Sequence, residues 1–239
     1  LHSNGISTYL VTNAQFPEAI RTLEPVTQLY VSIDAATPES LKDVDQPLFA
    51  DYWERLLESL RELRKKDTRT VYRLTLVKER NVAEIHQYAQ LVALGEPHFI
   101  EVKGVTFCGD SKGSGITMQS VPYHGEVVQF AQALVDAINL IPSVASRYEV
   151  ACEHQHSLCV LIAHVRYKMD DVWHTHIDYS AFNAAWRAWR SHHHEPTQAV
   201  LERNGDTDSD LNADTHKNTD HGRDTTTDED TNTHTHTYT

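Results

Sequence analysis

Four short stretches rich in β-forming residues read as strands, Tyr9 to Thr12, Leu29 to Asp34, Thr70 to Val77 and Phe99 to Thr106, and the last three alternate apolar and polar side chains with a period of two. Helical periodicity fills the intervals. From Asp51 to Lys66, the positions Trp53, Leu56, Leu57, Leu60 and Leu63 share one face, acidic residues come early, and Arg64, Lys65 and Lys66 fall in the last turn. That charge order suits the helix dipole and predicts a covering helix. A second helix carries Val82, Ile85, Ala89 and Val92 and is expected to stop at Gly95, and a third carries Val127, Ala131, Leu134, Val135 and Ile138. Strands alternating with helices predict an α/β fold with a parallel sheet. After Pro142 the pattern changes. Tyr148 to Cys152 and Cys159 to Tyr167, joined by the polar Glu153 to Ser157, predict a hairpin. A final helix is expected from Ser180 to Arg190, with Phe182, Trp186 and Trp189 packing on the outside of the sheet layer rather than stacking on bases.

Within each strand the two alternating rows differ in character. Leu29, Val31 and Ile33 oppose Tyr30, Ser32 and Asp34; Tyr72, Leu74 and Leu76 oppose Arg73 and Thr75; Ile100 and Val102 oppose Glu101 and Lys103. Strands buried on both faces read as continuous apolar runs, so a polar row on every strand signals a shared polar inner face. Unpaired charge there is costly unless a ligand or counter-charge meets it. Two readings stand side by side: a ligand site, or an internal ionic network pairing Asp34 with Arg73 and Glu101 with Lys103. The loop Cys108 to Gly115 follows the last of these strands, where βα folds keep their sites, and is expected to be a mobile active-site loop. Asp45 and Gln46 lie in another long loop, Ala35 to Asp51, placed to close over the mouth.

The chain of 239 residues is 40% hydrophobic, enough for one sizeable core with an appendage. Its net charge of -13 is unevenly spread: from Asn204 onward nine acidic and two basic residues give -7, leaving -6 for everything before. That tail, rich in Thr, Asp, His and Asn, has almost nothing to bury and is expected to be disordered, with the division falling at residues 1–190 and 191–239. Histidines 192–194, 216, 221, 234 and 236 have no closed metal-site spacing. Three cysteines suit no disulfide framework, so a reducing, cytoplasmic setting is expected, and no apolar run is long enough to cross a bilayer.

The runs LVTNAQFP from Leu10, LYVSIDA from Leu29, RTVYRLTLV from Arg69 and FIEVKGVTFCG from Phe99 resemble the tRNA 4-demethylwyosine synthases of the radical S-adenosylmethionine (SAM) superfamily. So do VPYH from Val121 and CEHQHSLC from Cys152, and the likeness extends from about Leu1 to about Phe182. It implies an incomplete, TIM-barrel-like (β/α)6 partial barrel of the radical SAM type, closed by the C-terminal hairpin and helix. It implies a lyase that joins two carbons of pyruvate to N1-methylguanosine in tRNA(Phe), a step of wybutosine biosynthesis. The implied cofactors are SAM and a 4Fe-4S cluster, and the implied partners are tRNA(Phe), pyruvate and an electron donor or flavodoxin-like domain. Carried over position by position, Asn13, Ser32, Asp34, Arg73, Thr75 and Asn81 approach SAM. Lys103, in the EVKG run, is the catalytic candidate: charge pairing with a carboxylate is preferred to a Schiff base, which a desolvated lysine also permits.

One departure accompanies the match. Radical SAM enzymes hold their cluster on a CxxxCxxC loop, and cluster ligation needs grouped thiolates. Cys108, Cys152 and Cys159 do not supply them, so the cluster ligands are expected outside this chain, which reads as a fragment that is inactive alone. Cys152, His154, His156 and Cys159 also admit a zinc reading, set below that of an ordinary family segment. Two competing functions remain: a non-catalytic tRNA-binding remnant, and a pyruvate Schiff-base lyase built on Lys103.

Overall fold

The computed structural model describes residues 1–109 and 115–193. In chain order these form β1 (Tyr9–Thr12), α1 (Pro17–Thr22), β2 (Gln28–Ser32), α2 (Pro38–Asp45), α3 (Tyr52–Leu63), β3 (Thr70–Leu76), α4 (Ile85–Gly95) and β4 (Phe99–Gly104). There follow α5 (His124–Asn139), β5 (Tyr148–His154), β6 (Cys159–His164), the two-residue strands β7 (Lys168–Met169) and β8 (Val172–Trp173), and α6 (Tyr179–His193). The six-stranded sheet has the order β1-β2-β3-β4-β6-β5. Its first four strands are parallel, and the β5–β6 hairpin continues it in antiparallel fashion, with β6 against β4. The predicted hairpin is therefore part of the main sheet. Of the histidines singled out in the sequence, His192 and His193 end α6, whereas His194, His216, His221, His234 and His236 and the centre of the Cys108 to Gly115 loop lie outside the described residues. The chain divides into units Leu1–Glu195 and Pro196–Thr239, and all described residues belong to the first.

The apolar row of each strand packs against helices. Leu29, Val31 and Ile33, Tyr72, Leu74 and Leu76, and Ile100 and Val102 join one buried cluster with Leu56, Leu60 and Leu63 of α3, Tyr88 and Val92 of α4, and Val127, Leu134 and Ile138 of α5. The strongly amphipathic pattern of α3 is thus satisfied by the sheet it covers, and burial of such side chains is the main force holding this layer. The opposite row carries the half-buried positions of β2, β3 and β4.

Two local features differ from the sequence reading, and a third, the end of α4, agrees with it but gives Gly95 a different role. The segment expected to be a loop from Ala35 to Asp51 contains α2, which begins as helices do: Pro38 occupies the first turn, and the Thr37 hydroxyl accepts from the Ser40 amide at 3.2 Å. The α4 helix does end near Gly95, but the left-handed residue is Glu96, with φ 41°. Gly95 is needed for another reason: a Cβ there would lie 1.8 Å from the Tyr72 hydroxyl oxygen and 3.1 Å from the Leu60 carbonyl. Finally, Trp186 of α6 is buried not on the sheet layer but against the N-terminal segment, where the His2 ring meets Phe182 and Trp186 edge-on at 5.2 and 5.1 Å.

Candidate active site

Strand register stacks the inner row in three levels. At the N-terminal ends of the strands, Tyr30, Val71, Phe99 and Ala163 stand side by side. This apolar floor is sealed by Tyr167 and Trp173 and capped by Arg69, whose guanidinium lies 4.2 Å from the Phe99 ring centre. Arg69 also donates to the carbonyls of Thr175 and His176. Half-buried against the Phe99 and Tyr167 rings, this cation is fixed by backbone acceptors instead of a carboxylate.

One level up come Ser32, Arg73, Glu101 and Leu161. The Arg73 Nε donates to Glu101 Oε1 at 3.2 Å while its guanidinium sits 4.6 Å from the Tyr30 ring centre. The ionic network expected from sequence, Asp34 with Arg73 and Glu101 with Lys103, is thus replaced by the pair that the register places directly opposite each other. At the C-terminal level stand Thr75, Lys103 and Cys159. Asp34, just past the end of β2, takes a hydrogen bond from the Thr75 hydroxyl. Among the described residues no carboxylate forms a salt bridge with Lys103, because Glu101 is already engaged by Arg73.

A cavity of about 410 Å³ opens beside this upper level, within the range of small-molecule sites. Asn13, Gln15, Ser32, Asp34 and Asp45 supply its polar lining, and Phe16 and Phe49, in edge-to-face contact at 5.6 Å, close one side. Burial raises the Asp45 carboxyl to about 6, with the Asp34 charge adding to the effect. Asp34 is raised too, chiefly by burial, against the opposing pull of its Thr75 hydrogen bond and the Arg73 charge. Two carboxyl groups thus share one cleft, and the charge of Asp34 adds to the cost of ionising Asp45. The Gln15 side-chain oxygen is buried there with no hydrogen-bond partner among the described residues.

Of the sequence-derived site residues, Asn13, Ser32 and Asp34 share this cavity, and Thr75 reaches it through Asp34. Arg73 and Lys103 lie on the same sheet face but do not line it. Asn81 stands apart from any ligand-facing role. It is fully buried, its amide nitrogen donates to the carbonyls of Asp34 at 2.8 Å and Thr75 at 2.7 Å, and its oxygen accepts from the Val77 amide at 2.9 Å. It therefore fixes the ends of β2 and β3 and does not line the cavity beside Asp34. Asp45, Gln15, Phe16 and Phe49 were not among the sequence-derived candidates, since they lie on connections whose path alternation does not specify. The thiols of Cys152 and Cys159 are free and raised by burial, Cys159 to about 11. Among the described residues no group of three or more His, Cys, Asp or Glu side chains is arranged to hold a metal ion, so neither zinc nor a cluster fits the residues present.

A family model described as Wyosine base formation matches residues 94–164, which span β4, α5, β5 and β6. The chain is 61% identical over 182 residues to the S-adenosyl-L-methionine-dependent tRNA 4-demethylwyosine synthase TYW1 of Homo sapiens. The chain is similar to the tRNA 4-demethylwyosine synthases. The human match covers 76% of this chain and 24% of that protein. For the Xenopus laevis synthase, identity is 58% over 189 residues, 79% of this chain and 25% of the relative. The chain thus spans about a quarter of the length of the curated relatives it matches. A solved structure of TYW1 with a lysine-pyruvate adduct bound superposes with TM-score 0.59 at 26% identity, over 72% of this chain and 51% of that one. The crystal structure of archaeal TYW1 gives TM-score 0.54 over the same shares. The fold is accordingly an α/β fold with a mostly parallel sheet, similar to these synthase structures. Among the described residues no helix is long and apolar enough to cross a membrane.

Proposed function

We propose that this chain forms the later strands of a radical SAM (β/α)6 partial barrel in a cytoplasmic tRNA 4-demethylwyosine synthase, acting on N1-methylguanosine in tRNA(Phe) and on pyruvate. The observation that carries the proposal is one polar sheet face on which a two-carboxylate cavity stands beside Lys103, a lysine with no described counter-ion. The β1 edge supports the barrel reading: it pairs only with β2 among the described strands, and Tyr9, Leu10 and Val11 are exposed along it, as befits a sheet that further strands extend.

In this reading the cavity holds SAM, which when bound supplies the radical-initiating chemistry. Asp34 and Asp45 meet its positive charge, Asn13 and Ser32 hydrogen-bond its polar edges, the unpartnered Gln15 oxygen accepts from it, and Phe16 and Phe49 keep water out. Thr75 and Asn81 act through Asp34, holding the carboxylate and the backbone behind it. No step is assigned to an iron-sulfur cluster, because the described residues offer no ligands for it. An electron donor or flavodoxin-like domain is the partner this chemistry requires.

Lys103 presents its ammonium to the pyruvate carboxylate. A second reading is favoured by the lysine-pyruvate adduct in the solved TYW1 structure. Here the neutral Lys103 amine attacks the keto carbon of pyruvate, a carbon-nitrogen double bond forms, and water leaves. Borohydride reduction of the chain with labelled pyruvate, followed by peptide mapping, separates the two. Label on the peptide holding Lys103, absent from Lys103→Met, assigns the Schiff base. No label, together with loss of saturable pyruvate binding in Lys103→Met, assigns charge pairing. Pyruvate binding unchanged by Lys103→Met, with no label at that residue, overturns both.

A further inference from the structure

A larger groove of about 720 Å³ lies beyond the C-terminal end of β4 and takes no part in the chemistry above. It begins one residue past Lys103: a Cβ on Gly104 would meet Pro122 at 3.0 Å and Leu158 at 3.3 Å, and both residues line the groove. One wall is the segment leading into α5, the other the turn between β5 and β6. The Lys78 amide, at the end of β3, ties the first wall down by donating to the Ser120 carbonyl at 2.9 Å.

The lining combines four chemistries. Tyr123 is 77% exposed and Met118 62% exposed, an aromatic face and a soft apolar side chain held out from the surface rather than tucked into a core. Lys78 sets its ammonium 4.4 Å from the Tyr123 ring centre. Gln119 and Gln155 place an amide on each wall. Among the described residues no carboxylate lines the groove, although the chain carries a net charge of -13. The two carboxylates nearby are occupied: Glu126 pairs with Lys78 at 2.7 Å and accepts from the Tyr123 amide, and Glu153 meets His124 at 3.0 Å. A ring with a cation over one face and the other face left for stacking, together with amides able to both donate and accept, is what an unstacked nucleobase and its phosphate require. An apolar peptide would use neither amide, and a small metabolite does not need an exposed tyrosine.

We propose that this groove is a nucleobase-stacking subsite for single-stranded RNA. Tyr123 stacks on a base through the face that Lys78 leaves open, Gln119 and Gln155 bond its edge, and Lys78, paired with Glu126 in the free chain, exchanges that carboxylate for the adjoining phosphate. This rests on the reading of the chain as part of an RNA-modifying enzyme and deepens it, since Gly104 joins the groove to the strand that carries Lys103. Most of the lining, from Met118 to Leu158, also falls within the residues 94–164 matched by the family model.

The test uses a fluorescently labelled anticodon stem-loop RNA titrated with the full chain. Tyr123→Ser should weaken binding roughly tenfold, Tyr123→Phe should bind within about twofold of the parent, and stacking is the contribution that distinguishes them. Lys78→Met should reduce the slope of log affinity against log salt by about one. Melting curves of Tyr123→Ser are expected to match those of the parent, because its side chain is exposed. Photocrosslinking with 5-iodouridine in the loop should label Tyr123. The proposal is overturned if Tyr123→Ser binds as tightly as the parent, if crosslinks fall elsewhere, or if the chain binds no RNA. Pyruvate trapping on the unsubstituted chain, without RNA, is read separately. Crosslinking at Tyr123 with neither trapping nor any effect of Lys103→Met on pyruvate binding would sink the Lys103 reading and leave the groove, and trapping without crosslinking would do the reverse.

Discussion

His98 shows how one side chain couples the fold to pH. Its Nδ1 accepts from the Thr70 amide at 2.9 Å, joining the start of β3 to the start of β4, and burial chiefly, with the charges of Arg166 and its neighbours, lowers it to about 4. His164 is lowered to about 4 for the same reasons. A histidine depressed in the folded state takes up its proton on unfolding, so stability present at neutral pH is lost as pH falls from about 6.5 towards 4. His98→Asn keeps an acceptor for the Thr70 amide but cannot titrate; thermal melts from pH 7 to pH 4 should fall less steeply than for the parent. An equal decline would show that His98 is not the linked group. Asp45 has the opposite sign. Its raised carboxyl makes ionisation oppose folding as pH climbs from the ordinary value of 3.8 through about 6. Asp45→Asn should therefore melt higher than the parent at pH 7 and equally below pH 3.8. In equilibrium dialysis, SAM binding to the parent should strengthen as pH rises through about 6, while Asp45→Asn shows a flat profile; a flat parent profile would remove Asp45 from the site.

Among the elements, α4 and β3 meet through the absence of a side chain. Gly95 lets the Tyr72 hydroxyl reach the Leu91 carbonyl at 3.3 Å inside the core, which brings helix and strand closer than any larger residue allows. Gly95→Ala should cost about 1–3 kcal/mol in urea unfolding, the usual range for overpacking a well-filled core. Adding Tyr72→Phe should restore part of that loss, because it removes the oxygen that the new methyl strikes. Strict additivity of the two substitutions would refute this account. The helix ends at Gly95, where the sequence reading placed its end; the left-handed cap follows at Glu96, whose carboxylate is held by Arg147 at 2.7 Å. The α2 helix was legible in principle from Thr37 and Pro38. Its apolar face is too short to show periodicity, with Leu41 its one buried residue.

For the whole molecule, the described residues supply a cavity of about 410 Å³ and a lysine but no cluster ligands, so the chain by itself should not cleave SAM. Anaerobic reconstitution with iron, sulfide and a reductant should yield no 5'-deoxyadenosine; cluster-dependent product would overturn that expectation. What the sequence determined unaided was the alternation of strands and helices and the separation of each strand into an apolar and a polar row, because side-chain direction follows from a period of two whatever the strand packs against. It also carried Lys103, Ser32 and Asp34 to the polar face by alternation alone. The tertiary structure decided what alternation cannot encode, namely which neighbours share a level. Parallel register set Arg73 opposite Glu101 and so left Lys103 without a described partner. Chain folding beyond the strands carried Asp45, Phe16 and Phe49 to Asp34, and buried Asn81 behind it, since long-range approach depends on how layers pack and not on any local pattern.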